Sequence, residues 1–347
     1  MKKSQVEINK STVEITENKT VTTTREVVHT YPNGNKYIGY LINEKRNGQG
    51  KMIYSNRDIY EGDWLDDKRQ GKGILTEIDG DIYEGEWFND KMQGKGLYTW
   101  SDGASYQGDW INDNMHGRGK MIDVGNVYEG DFVDDKMHGK GKLILSDGDI
   151  YEGDFVDDEM HGKGKYIWAD GDIYEGNWAN DERNGIGKMV YDSGSIYEGG
   201  WVNDERNGTG KMIYADGRIY EGDWVKGNKH GKGKMIHTNG GIYEGDWFEG
   251  DMHGKGIYTW VSGNIYKGDF VNDIIQGKGK FYWANGDVYE GDWEDDMKQG
   301  WGKLTGAEGD VYEGEWADDD MHGKGKITWA NGDTWEGEHI EGERQIF

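Results

Sequence analysis

Carboxylates stand in closely spaced pairs along this chain, as at Glu152 and Asp154, and histidines recur at His116, His138, His161, His230, His253 and His322. Two carboxylates separated by one residue on a strand share a face, where they could act as acid and base or collect a divalent cation. A column of imidazoles could hold zinc. Both chemistries require convergence, either one pocket with shifted pKa values or several ligands aimed at one point. The carboxylate pair instead returns in nearly every segment, accompanied by lysines such as Lys163 and Lys165 that suit cross-strand charge pairs on an outer face. The histidine position is filled elsewhere by Asn47, Gln70, Gln93, Asn184, Asn207, Gln276 and Gln299. A position that accepts His, Asn and Gln alike calls for a neutral hydrogen-bonding group in a turn, because amides rarely ligate zinc. The absence of Cys removes thiol nucleophiles and Cys-containing zinc sites. The recurring Gly-Lys-Gly lacks the longer glycine-rich turn, the Lys-Ser/Thr and the helix of a phosphate loop. The expectation is a protein with no catalytic residue, no metal site and no cofactor.

The elements that carry these residues follow from self-similarity. An aromatic residue opens each segment at Tyr37, Tyr60, Tyr83, Tyr106, Tyr128, Tyr151, Tyr174, Tyr197, Tyr220, Tyr243, Tyr266, Tyr289, Tyr312 and Trp335, with a spacing of 23 residues everywhere except the 22 between Tyr106 and Tyr128. Counting that aromatic as offset zero, glycine recurs at offsets two, eleven, thirteen and twenty, too densely for helices of ordinary length. Offsets zero, two and four read Tyr, Gly and Trp or Phe, while one and three are mostly Glu and Asp, the period-two alternation of a two-faced strand. A second run alternates likewise from offset twelve to seventeen, so each segment predicts a β-hairpin. Asp-Gly or Asn-Gly pairs, such as Asp170-Gly171 and Asn285-Gly286, join one hairpin to the next. The predicted fold is all-β, a single-layer antiparallel β-solenoid of stacked 23-residue hairpins.

The spacing Tyr-Glu-Gly-x-Trp, then His-Gly-x-Gly, then Asp-Gly-Asp-x-Tyr resembles the MORN repeat over residues 37–341. Thirteen complete units at residues 37–334 follow a β-prone cap or tail at 1–26 and a half unit at 27–36, and residues 335–347 begin another hairpin. The Tyr and Trp at offsets zero, four and seventeen are expected to stack on their counterparts in neighbouring units, with the glycines at offsets two and thirteen leaving room for the rings. Because a single-layer sheet has no second layer, some aromatic surface is expected to stay exposed in a groove. The resemblance implies the same, since MORN arrays bind target peptides and helices. The regular middle units therefore supply the expected partner-binding residues Tyr151, Trp168, Tyr174, Trp178, Tyr197, Trp201, Tyr220 and Trp224.

A net charge of -27 repels nucleic-acid phosphates and disfavours anionic membrane lipid. The resemblance nevertheless keeps a membrane- or phosphoinositide-associated module as the alternative to a protein-interaction scaffold. No apolar run is long enough to span a bilayer, which makes cytoplasm the expected compartment; the resemblance adds the cytoskeleton or a cilium. Irregular places stand out from the repetition. The short unit loses one residue between Ile122 and Gly125, predicting a shortened turn. At the last strand, His339 takes the usual Trp position, and an edge there invites another strand; the resemblance implies a homodimer, with Trp335, Gly337, His339 and Ile340 as the expected self-association residues.

Overall fold

A repeat contributes a seven-residue strand, such as Ile150–Val156, and a nine-residue strand, such as Glu159–Ile167, except around the short unit, where Asn114–Asp123 has ten residues and Asn126–Val133 eight. The computed structural model describes residues 6–14, 22–340 and 342–344. Residues 1–5 and 15–21 of the expected N-terminal segment, and 341 and 345–347 of the last hairpin, lie outside the described residues.

The chain divides into two units, residues 1–169 with 179–181 and residues 170–178 with 182–347. In the first, the strand Val6–Glu14 pairs with Thr22–Thr30, which pairs with Lys36–Ile42, and antiparallel hairpins then follow one another to Ile167. The second unit holds the hairpins from Ile173 onward, ending on Thr334–Ile340 and a two-residue return strand, Glu343–Arg344. The described pairings join strands consecutive in the chain, so the antiparallel sheet stays open rather than closing into a barrel.

Two kinds of turn alternate. Between the strands of one repeat, offsets six and seven both take positive φ, as at Asp157 (51°) and Asp158 (79°) or Asn203 (48°) and Asp204 (66°). These are the values of a type I′ hairpin turn, tolerated here by Asn and Asp instead of Gly. Between repeats the loop is longer. Trp100 N–H donates to the Ala104 carbonyl at 2.9 Å and Gly103 N–H to the Trp100 carbonyl at 3.0 Å, with Gly103 at φ 94°. The short unit replaces this loop by a two-residue turn at Val124 (φ 45°) and Gly125 (φ 87°), flanked by the pair Asp123 and Asn126.

The core is a column of rings. Gly153 and Gly164 face each other across the ladder, and the Tyr151 ring lies over them where a Cβ on either would collide with it. Its hydroxyl donates to the Asp154 carbonyl at 3.0 Å. The ring at offset four stands edge-on to this Tyr, with centroids 5.1 Å apart and planes at 89° for Tyr151 and Phe155. The same ring also abuts the Tyr of the preceding repeat: in the second unit Trp224 meets Tyr220 at 5.1 Å and Tyr197 at 5.3 Å, and its Nε1–H donates to the Gly210 carbonyl at 3.2 Å. Edge-to-face pairs add about 0.5–1.5 kcal/mol each beyond the area they bury. Order therefore comes from aromatic stacking over glycine, which is how a chain of mean hydropathy -0.97 folds.

Candidate partner-binding surface

The strand alternation divides the side chains between two faces, and they differ sharply in what a partner could touch. On the aromatic face, seven of the eight expected groove residues are buried: Tyr151, Tyr174, Trp178, Tyr197, Trp201, Tyr220 and Trp224 are each at most 4% exposed. Trp168 is half-buried and stacks on Tyr166 at 4.5 Å. These seven rings thus lie in the core of the sheet, as the stacking reading expects, rather than along the wall of an open groove. With glycine beneath them, the rings sink onto the backbone and are covered by the rings of adjoining repeats, so a single layer covers its own apolar face. Burial pushes the phenols up, Tyr174 and Tyr197 to about 12.

The opposite face is exposed and carries the charge ladder. Glu198 faces Lys188 on one side and Lys211 on the other, and ion pairs of this type close at 3.2 Å for Lys51 with Glu61 and 2.7 Å for Lys303 with Glu313. Lysines at offset twelve reach the Asp at offset three of the following repeat, as Lys140 does to Asp154 at 2.5 Å. Burial alone would raise Asp154, but the Lys140 ammonium and the Lys163 amide outweigh it and hold the carboxyl below its ordinary value. A carboxylate held ionised by two donors is a poor proton shuttle at neutral pH.

Hollows interrupt this ladder, among them one in each unit. The larger, about 1130 Å³, lies in the second unit over the paired glycines of four consecutive repeats. Six lysines line it, and five are neutralised: Lys232 by Asp246, Lys278 by Asp292, Lys255 by Asp269 at 2.6 Å, Lys280 by Glu290 at 3.1 Å and Lys234 by Glu244 at 4.0 Å. The sixth, Lys267, occupies the position that Glu holds in most repeats, and among the described residues it makes no ion pair. Its register partners are Ile257 and Lys280. Ile257, 40% exposed, replaces the Lys usual at offset fourteen, and Trp301, 56% exposed, replaces the Lys usual at offset twelve. The smaller hollow, about 580 Å³ in the first unit, shows the same double replacement, with Leu97 opposite Gln107. A Lys–Glu pair fills the space above the glycines, and its replacement opens it. Sequence reading passed over these positions; the signal was the rare loss of Lys at offset fourteen together with Glu at offset one.

The polar residues of the turns are engaged in structure. Asp81 accepts from the Ser101 amide at 2.9 Å and the Tyr98 hydroxyl at 3.0 Å. It belongs with Glu77 and Asp79 to the one carboxylate trio within ligand reach among the described residues, and these bonds account for its placement. At offset ten, Gln70 and Gln93 accept from the amides of Asn89 and Asn112 in the next repeat at 3.2 and 3.3 Å, the neutral turn role read from the sequence, whereas His116 and His138 stand with Nδ1 3.7 and 3.8 Å from Asp134 and Asp157 and make no such bond. Of the expected self-association residues, His339 is 1% exposed, edge-on to Tyr312 and Trp335 at 5.2 and 4.8 Å. It takes the place of the usual Trp in the ring column. Gly337 pairs with Gly325, and Ile340 pairs with Glu343.

The family model of the MORN repeat matches thirteen segments, 37–59, 60–82, 83–105, 106–125, 128–150, 151–173, 174–196, 197–217, 220–242, 243–265, 266–288, 289–311 and 312–334. No match emerges among curated proteins. Similar solved structures include the TCP domain of SAS-4 of Drosophila melanogaster in complex with a proline-rich motif of Ana2, at 12% identity over 51% of this chain and 90% of that one with a TM-score of 0.30. Another is the TCP10 domain of Danio rerio CPAP, at 9% identity over 90% of this chain and 99% of that one with a TM-score of 0.18. Neither superposes closely enough to inform a site.

Proposed function

Because the chain belongs to the MORN-repeat family over residues 37–334, we propose that it is a non-enzymatic scaffold that binds protein partners on its exposed charged face. The observation that carries this reading is the presence of open hollows, at Leu97 with Gln107 and at Ile257 with Lys267, on the exposed charged face. A scaffold needs distinct binding stations on a repeating support, and these are positions at which the support changes. Carboxylates that repeat in nearly every unit do not converge on one pocket as the acid–base pair of an enzyme would. The alternative, an anionic-lipid module, would need several free cations side by side; five of the six lysines in the larger hollow are neutralised. A place on the cytoskeleton or in a cilium, and self-association through the strand Thr334–Ile340, belong to the same reading.

The test is site-specific photo-crosslinking from position 267 or 107 in cells, set beside sedimentation with phosphoinositide-containing vesicles. Discrete crosslinked proteins and no sedimentation are expected. Sedimentation without crosslinked protein would replace the scaffold by the lipid module. Imaging of a tagged chain tests the cytoskeletal placement, and light scattering that returns the mass of a single chain at every concentration would remove self-association.

A further inference from the structure

Within the larger hollow the departures from the repeat are few and share one geometry. Ile257, Lys267 and Trp301 lie on strands Asp251–Thr259, Ile265–Val271 and Met297–Thr305. Ile257 is directly opposite Lys267, and four strand intervals separate Ile257 from Trp301, about 19 Å at ~4.8 Å per interval. The three sites thus offer an aliphatic surface, an adjacent ammonium, and an exposed indole further along the trough.

We infer that this trough binds an extended peptide segment that carries an acidic residue against Lys267 and large apolar side chains against Ile257 and Trp301. The inference rests on the scaffold reading above and assigns chemistry to one of its stations. Charge complementarity selects the acid. Lys267 faces Lys280, whose charge is already taken by Glu290, so the unmatched charge at Lys267 is positive, the other unpaired charge of the lining among the described residues being Glu221, four strands away on Ile219–Val225. An anion placed there gains Lys267 without displacing an ion pair, at the cost only of the 5.5 Å contact of its ammonium with the Tyr282 ring. The bare indole of Trp301 and the aliphatic Ile257 favour apolar anchors, since an exposed apolar residue in place of a lysine gives up solubility and gains only contact. At ~3.3 Å per residue, an extended segment covers the distance between them in about six residues. The glycine floor lets its backbone approach the sheet closely. Nucleic acid and lipid headgroups lack this alternation of one acid with apolar groups, and with Lys232, Lys255 and Lys278 already paired to Asp246, Asp269 and Asp292 a continuous row of phosphates finds too few free cations.

The experiment selects a random peptide display library on the full chain, then measures labelled winners by fluorescence anisotropy on Lys267→Glu and Trp301→Lys variants. Each variant restores a residue that other repeats carry at the same offset, so folding is kept, and circular dichroism verifies it. The expected winners share an acidic residue flanked by large apolar ones, lose about tenfold in affinity on Lys267→Glu, and bind more weakly on Trp301→Lys. Winners without an acid, equal binding to all three chains, or no enrichment would overturn the assignment. Crosslinking of cellular proteins from position 267 in that case would leave the scaffold reading standing, so the two failures are told apart.

Discussion

Raising the pH above 10 should unfold the repeats, and the rings themselves set the magnitude. Thirteen tyrosines at offset zero, from Tyr37 to Tyr312, are each at most 3% exposed. Burial is the largest cause of their raised pKa values: Tyr174, Tyr197 and Tyr312 are pushed up to about 12 from an ordinary 10.0, and Tyr60 or Tyr243 go higher. The folded pKa lies above the unfolded one, so the stabilisation is complete below pH 10 and drains away as pH rises toward the folded value. In that window the unfolded chain releases phenolic protons that the folded chain keeps, at about 1.4 kcal/mol per pH unit for each ring. A repeat of 23 residues contributes stability on the order of 1–3 kcal/mol, so one to two pH units above 10 consume it. Tyrosinate absorbance should therefore appear together with loss of the β-sheet circular dichroism, in one steep transition. Gradual ionisation near pH 10 with the dichroism intact would refute the buried column and return the aromatic face to solvent.

Other perturbations probe separate parts of the structure. Gly141→Ala would drive a Cβ into the Tyr128 ring, whose Cζ would lie 2.5 Å away; a loss of about 1–3 kcal/mol is expected, read as faster hydrogen exchange in that repeat. Val124 is β-branched, 85% exposed and at φ 45°, so Val124→Asn should stabilise by about 1 kcal/mol, seen as a higher denaturant midpoint. Lys229 is half-buried over the Trp247 ring at 3.9 Å, and desolvation lowers its pKa to about 8 from 10.5. The folded state then binds fewer protons between those values, so stability rises with pH from 8 toward 10, by about 1 kcal/mol once solvent screening is allowed for. Urea titrations at the two pH values should lose this difference in Lys229→Met.

The hairpins were legible because period-two alternation survives throughout and the 23-residue interval in every repeat but the one from Tyr106 to Tyr128. What alternation does not encode is how deeply a face sinks. Tyr151 and Trp201 read as groove residues because a single layer has no cover of its own. The glycines at offsets two and thirteen, read as space for the rings, in fact bring ring and backbone into contact, as Gly153 and Gly164 do beneath Tyr151. The type I′ turns were equally available, since Asn-Asp or Asp-Asp pairs recur at offsets six and seven, but the Asp-Gly pairs drew attention to the other turn. The hollow at Ile257 and Lys267 was the hardest to see. Neither substitution is unusual alone, and only the register that sets them opposite each other shows a missing ion pair.

The indole bond from Trp224 to the Gly210 carbonyl gives the array a direction. Each repeat holds the lid for its predecessor: Trp224 closes over Tyr197, and Trp247 in turn closes over Tyr220. On a ribosome, a newly emerged repeat has its glycine floor and its Tyr but lacks the ring that will seal it, which is still inside the exit tunnel. Assembly is then a relay running from the amino to the carboxyl end, always one repeat behind synthesis. A pause in translation would leave one open ring as the point at which a chaperone, or a stray aromatic from another chain, could enter.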